Sequence, residues 1–427
     1  MSVEEDVADT LEVGQLVDLE IGPVAHGGIC VARYHRRVVF VRLALPGERV
    51  RVRLTEVRRG SFCRGEVVEV LQPSADRREA PCSHYGPAAC GGCDLQHVSP
   101  DGQLRWKADV VAEQLHRLAG INRSVTVEAL PGNGFGWRTR VRWALDPEGR
   151  IGPRAQRSHR VVPVGRTAPC LIAADGLGDL ATVTEPPMSL LRAAAARAPH
   201  RGRGRGSRPV LPEVTLTRDA GGRTHAVWEH GPDVERITEH AVGRDFSVAA
   251  DGFWQVHPAA AETLAGAVRE ALGGRLGAGE RAWDLYGGVG LFTEVLHRCV
   301  GDTGTVVSVE GDRTASALAQ ENVGTLPGVQ VVQGDVAAAV AGIDGTVDAI
   351  VLDPPRTGAG QDLCRALAGR GARTIVYVAC DPAALGRDTA VLLQSGYALA
   401  SLRAFDCFPQ THHVECVAVF VSAGSAA

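Results

Sequence analysis

The chain has 427 residues, 45% of them apolar and 22% charged, an ordinary balance for a soluble globular protein with room for two or three domains. Its 45 basic and 49 acidic residues leave a net charge of −4, which excludes a uniformly basic nucleic-acid binder but not a local basic face. No apolar run reaches membrane-spanning length, and the opening residues are acidic rather than leader-like, so the expectation is a cytoplasmic protein with no membrane partner.

Val13 to Leu71 alternates apolar and polar positions in short runs punctuated by glycine and Pro46-Gly47, the pattern of a small closed barrel. Its arginines Arg51, Arg53, Arg58, Arg59 and Arg64 are candidates for a phosphate-binding face, with a solvated strand surface as the plain alternative. The stretch resembles a TRAM domain, an OB-like barrel found on RNA-modifying enzymes, and Ala44-Leu-Pro-Gly-Glu48 carries much of the likeness.

Next comes Cys82, then Cys90-Gly-Gly-Cys93. In a reducing compartment such thiols point to a metal rather than to disulfides. Cys170, after Pro169 in a loop-like stretch, is the best fourth ligand. Four cysteines suit zinc or an iron–sulfur cluster, and spacing does not separate the two. Asp101 to Gly120 reads as a helix with Leu104, Val111, Leu115 and Leu118 on one stripe. It holds Lys107, the chain's one lysine. Trp137 to Trp143 reads as a strand with Arg138, Arg140 and Arg142 on its polar, solvated side, a row that in a nucleic-acid enzyme would track a backbone. The Arg201–Arg208 Arg-Gly run reads as a linker or loop.

From Arg281 onward strand, glycine loop and helix repeat, which predicts a mostly parallel sheet. Trp283 to Phe292 is a glycine-rich strand-to-helix turn, and acids end the strands that follow: Glu310 for ribose hydroxyls, Asp335 for an adenine amino group, and Asp353. One such acid alone reads as a helix cap; three in register after a glycine loop predict a nucleoside cofactor. Thr374 to Ala379 is a buried strand that delivers Cys380 to the sheet's carboxyl edge, and Glu415 opens the apolar run Val417–Phe420.

Together these features identify the last domain as similar to class I S-adenosylmethionine-dependent methyltransferases. The whole chain resembles the TRAM-bearing, iron–sulfur RNA (uracil-5-)methyltransferases typified by the 23S rRNA enzymes. The likeness runs through Phe253-Trp-Gln255, the glycine loop, Asp353-Pro-Pro-Arg356, Ala379-Cys-Asp-Pro382 and His413-Val-Glu415. It implies an α/β fold: a C-terminal Rossmann-like sheet (250–427), an N-terminal OB-like barrel (10–72) and a central α+β domain (73–249), with the 101–119 helix against the catalytic domain.

The resemblance assigns Gln255, Tyr286, Glu310, Asp335 and Asp353 to the cofactor and catalytic cleft. Cys380 becomes the nucleophile that adds to C6 of uracil, in surroundings expected to favour its thiolate, and Glu415 the base that removes the C5 proton. Cys82, Cys90, Cys93 and Cys170 become ligands of a [4Fe–4S] cluster, zinc being the alternative. Two positions depart from the family: Leu291 stands where it often has asparagine, and the Cys82–Cys90 gap is wider than usual. Arg356 follows the Asp-Pro-Pro where amino-methyltransferases carry an aromatic and RNA cytosine-C5 enzymes a nearby cysteine, so uracil is preferred. The implied partner is RNA, ribosomal before transfer RNA, with no obligate protein partner evident. The alternative of another class is a non-catalytic RNA-binding protein that keeps the fold.

Overall fold

A computed structural model describes residues 11–58, 61–178, 212–228, 235–343 and 345–423. Arg59 and the Arg201–Arg208 run lie outside the described residues.

Strands β1 (Leu16–Ala25), β2 (Ile29–Tyr34), β3 (Arg37–Arg42), β4 (Arg49–Val57) and β5 (Phe62–Gln72) close a barrel in the order β1-β2-β3-β5-β4. Alternation supplies its interior, since Val17, Leu19 and Ile21 point inward and their neighbours outward. The barrel's arginines are not a bare basic stripe. Arg51 pairs with Asp18 and Glu69, Arg58 with Glu56, and Arg64 lies over the rings of Phe40 and Phe62.

Helix α1 (Pro100–Ala119) starts at Ser99, whose hydroxyl accepts the Gly102 N–H, and stops at Gly120 in the left-handed region. It buries more than one stripe. Trp106 and Val110 join the barrel core, while Val111 and Leu115 join the core of the C-terminal sheet. Between them Lys107 is fully buried, its Nζ 2.5 Å from Asp406 Oδ1 and 3.0 Å from the Phe408 carbonyl.

A short strand β6 (Val127–Ala129) precedes a four-stranded sheet of β7 (Arg140–Leu145), β8 (Ile151–Gly152), β9 (Glu213–Arg218) and β10 (Thr224–Trp228), ordered β10-β9-β7-β8. The arginine row around β7 departs from a solvated face. Arg142 is exposed, but Arg140 is buried against Glu239 at 2.8 Å and Arg138 lines a cavity together with Cys90, Cys93 and Cys170. A hairpin, β11 (Arg236–Ala241) and β12 (Arg244–Ala249), leads into the last unit.

There β13 (Arg281–Leu285), β14 (Thr305–Glu310), β15 (Val329–Gln333), β16 (Ala349–Leu352) and β17 (Thr374–Ala379) are parallel, linked by helices α3 (Leu291–Val300), α4 (Arg313–Val323), α5 (Val336–Gly342) and α6 (Gln361–Ala368), with α2 (Ala260–Leu272) before them. After α7 (Pro382–Gln394), β18 (Tyr397–Asp406) and β19 (Glu415–Ser422) complete the order β15-β14-β13-β16-β17-β19-β18-β6. The last strand is antiparallel to β17, as a class I methyltransferase sheet requires. Helix α1 packs across α7 on one face of this sheet.

Candidate active site

Strand β17 ends at Ala379 because Cys380 is followed by Asp381-Pro382, and Pro382 opens helix α7 under the Asp381 cap. Ala379 pairs with Cys416 across the β17–β19 ladder, so Cys380 and Glu415 follow as neighbours at the same edge. Asp353 continues β16 on the other side of β17, its N–H donating to the Leu285 carbonyl at 3.2 Å. All three line one cavity of about 1400 Å³. That is more than a single drug-sized ligand needs, and it leaves room for a nucleoside cofactor beside a base.

The electrostatics correct one expectation. Burial pushes the Cys380 thiol up to about 12, and the Glu415 and Asp353 carboxylates add to it; Arg356 acts the other way. The strand end therefore favours the thiol, not the thiolate. Burial likewise raises Glu415, with Asp353 pushing in the same direction, and raises Asp353, with Asp284 as its charged neighbour. Glu415 is 3% exposed and its Oε1 has no hydrogen-bond partner, so nothing holds that oxygen except the strand beneath it. A buried, unpaired carboxylate costs stability and is kept where chemistry needs it.

The glycine loop forms the cavity's other half. A Cβ on Gly287 would stand 2.4 Å from Ser308 Oγ, so only glycine lets β13 pass into α3 this closely to β14. Glu310 accepts the Gly288 N–H at 2.8 Å and the Asp312 N–H at 2.6 Å, which fixes a carboxylate across the loop. Gln255, Tyr286 and Glu310 all line the cavity, as does Leu291, which makes its wall apolar there. Asp335 does not line it. One of its oxygens caps α5 through the Ala338 N–H at 2.9 Å, the plain reading of a strand-terminal acid. A residue the sequence motifs did not single out is Asp284, fully buried and pushed up to about 7 by burial, with the Thr293 hydroxyl donating to it at 2.6 Å. Its place one residue before the end of β13 was the available signal.

Cys82, Cys90, Cys93 and Cys170 line the same cavity. The Gly92 N–H points at Cys90 Sγ at 3.3 Å, the backbone approach that Gly-Gly permits. Burial raises Cys90 to about 11 and also raises Cys93 and Cys170; in each case a neighbouring thiol of the four pushes further and Arg138 or a hydrogen bond opposes. Burial raises isolated core thiols such as Cys30 in the same way, so the shift marks buried thiols rather than a metal. Among the described residues no three His, Cys, Asp or Glu side chains converge where one metal ion would sit.

Known proteins resemble this chain over most of its length. A family model described as tRNA (Uracil-5-)-methyltransferase matches residues 340–423, and the TRAM domain model matches residues 10–70. An uncharacterized RNA methyltransferase of Streptomyces coelicolor is 44% identical over 98% of this chain and 95% of its own. The 23S rRNA (uracil(1939)-C(5))-methyltransferase RlmD of Shewanella sp. is 32% identical over 92% of this chain and 93% of its own. Among solved structures, Pyrococcus abyssi tRNA (uracil-54, C5)-methyltransferase in complex with S-adenosyl-L-homocysteine superposes with a TM-score of 0.64 at 22% identity, covering 94% of this chain and 99% of that one, which shows a shared fold.

Proposed function

Because the chain belongs to the TRAM-containing RNA (uracil-5-)methyltransferase family, we propose that it methylates C5 of a uridine in 23S rRNA, with S-adenosylmethionine as the methyl donor. The observation that carries this reading is the register that seats Cys380 beside Glu415 in the wall of a cavity that a glycine loop also lines.

C5 of uracil is too weak a nucleophile for a sulfonium methyl. Addition of the Cys380 sulfur to C6 turns the ring into an enolate whose C5 is nucleophilic, dividing one hard step into easier ones. Bound S-adenosylmethionine supplies the methyl group and a sulfonium charge that favours a thiolate at Cys380. Once C5 carries the methyl, Glu415 takes the C5 proton and the Cys380–C6 bond breaks, returning the thiolate. Raised affinity for a proton makes Glu415 a stronger base than an exposed glutamate. Gln255, Tyr286, Glu310 and Asp353 frame the cavity in which cofactor and base meet, and Asp335, which caps α5 with one oxygen, keeps the other for the adenine amino group. A stacked base cannot reach this edge, so the target is extruded or unpaired.

Cys82, Cys90, Cys93 and Cys170 would hold a [4Fe–4S] cluster with a structural role. Four cysteine thiolates suit a single zinc as well, and the resemblance to the iron–sulfur members of the family is what favours the cluster. We further read the chain as three units, 10–72, 73–249 and 250–427, with α1 bridging the first and last. It acts in the cytoplasm; no described helix is long and apolar enough to cross a membrane.

The test is mass-spectrometric mapping of 5-methyluridine in RNA from wild-type and gene-deleted cells. Loss of a 23S rRNA site supports the reading, loss of a transfer-RNA site moves the substrate, and unchanged RNA overturns it.

A further inference from the structure

Glu415 hangs from its backbone, with Oε1 unpartnered, so its aim depends on how the segment before β19 is held. That segment, Asp406 to Val414, is gripped by the loop that follows Cys93. The N–H groups of Asp94 and Leu95 both donate to the Gln410 carbonyl, at 2.9 and 3.0 Å. Asp94 Oδ2 accepts the His412 ring Nδ1–H at 2.6 Å and the His412 backbone N–H at 3.3 Å. Gln410 sits at φ +67, a left-handed conformation that an L side chain adopts only when its surroundings impose it.

The contact carries geometry. Two backbone and two side-chain bonds from consecutive residues fix both the position and the rotation of a segment three residues from the base.

We propose that Asp94 and His412 are positioning residues for the general base, coupling the thiol-bearing loop to the strand that carries Glu415. The inference rests on the function proposed above. It assigns the Cys90–Cys93 loop a task in the reaction: it sets where Glu415 stands when the C5 proton must be taken.

The test uses full-length enzyme with Asp94→Asn or His412→Ala and RNA carrying C5-tritiated uridine. A misplaced base slows elimination more than addition, so kcat should fall between about tenfold and a hundredfold. KM for S-adenosylmethionine should fall in step with kcat and leave kcat/KM within about twofold, because the altered step follows methyl transfer. The covalent Cys380–RNA adduct should accumulate on denaturing gels. His412→Asn, whose amide can still donate to Asp94, should recover most of kcat. The double variant should lose no more than the worse single one, since both break one contact.

A parallel fall in adduct and turnover, or wild-type turnover in both single variants, overturns the inference. If the unaltered enzyme forms neither adduct nor tritium release, the function fails and the inference with it, an outcome recognisable without any variant.

Discussion

Ala379 of β17 faces Cys416 of β19 in antiparallel register, and this pair sets Cys380 and Glu415 side by side at the end of the ladder. Neighbours in space and 35 positions apart in sequence, they divide bond making from proton removal. Cys380→Ala should reduce methyl transfer to background while calorimetric S-adenosylmethionine binding persists, because the glycine loop and Glu310 lie on other strands. Glu415→Gln should leave addition possible and block elimination. The expected result is a denaturation-resistant protein–RNA band, absent from the double variant.

The same carboxylate should make folding stability depend on pH. Burial, with Asp353 adding to it, raises Glu415 in the folded chain, whereas an unfolded glutamate titrates near about 4.3. Stability from this group is therefore complete below that value and is lost as pH rises through the folded one, each unit of separation being about 1.4 kcal/mol. Glu415→Gln removes the titration. Its melting temperature should exceed that of the wild type at pH 8 and the difference should shrink towards pH 5; a constant difference would contradict the assignment.

Much of this site is legible in the sequence, because strand ends and glycine loops are local signals. Cys380 before Asp-Pro and Asp353 before Pro-Pro mark the ends of buried strands, Glu415 before an apolar run marks the start of one, and the sheet order does the rest. What stays hidden depends on partners far along the chain. Arg140 looks like a solvated strand residue until Glu239, 99 positions away, is packed against it. The Cys380 thiol looks poised to ionise until the fold buries it, with Glu415 and Asp353 alongside. Asp335 looks like its neighbours in register, yet its strand end leads straight into α5 and it caps that helix.

Lys107 is the sharpest such case, a lone lysine that periodicity places on α1 and only tertiary structure places in the core. Its charge is matched by Asp406 at 2.5 Å. Lys107→Ala should cost about 3–5 kcal/mol in urea unfolding, because it strands a buried carboxylate. Replacing both partners by apolar residues, Lys107→Met with Asp406→Leu, should recover most of that loss. Equal loss in the double variant would show that the lysine stem, not the charge pair, carries the effect.

The thiol centre has an optical test. Anaerobically purified protein should absorb in the visible and contain iron and sulfide in equal amounts, and Cys93→Ser should bleach it. A colourless protein with one zinc per chain would replace the cluster by the tetrahedral alternative.

The barrel meets the catalytic rim through its β1–β2 turn, where His26 and Gly28 differ in weight. His26, in the β1–β2 turn, stands with Nε2 2.9 Å from Asp381 Oδ2, but the pair is partly exposed, at 35% and 20% of side-chain surface. Such a pair is worth roughly 0–1 kcal/mol, so His26→Ala should barely move the unfolding midpoint. Gly28 is different. It sits at φ +72, and an added Cβ would lie 2.8 Å from Asp94 Cβ and 3.2 Å from His412 Cβ. Neither is the far end of a flexible chain, so the turn must retreat or the Asp94–His412 contact must open. Strain of this kind costs on the order of 1–3 kcal/mol. Gly28→Ala should thus destabilise the enzyme more than His26→Ala and should reproduce the adduct accumulation of His412→Ala. A Gly28→Ala enzyme with wild-type melting and turnover would mean that the turn can be displaced without disturbing Asp94, and that the barrel only leans on the catalytic edge.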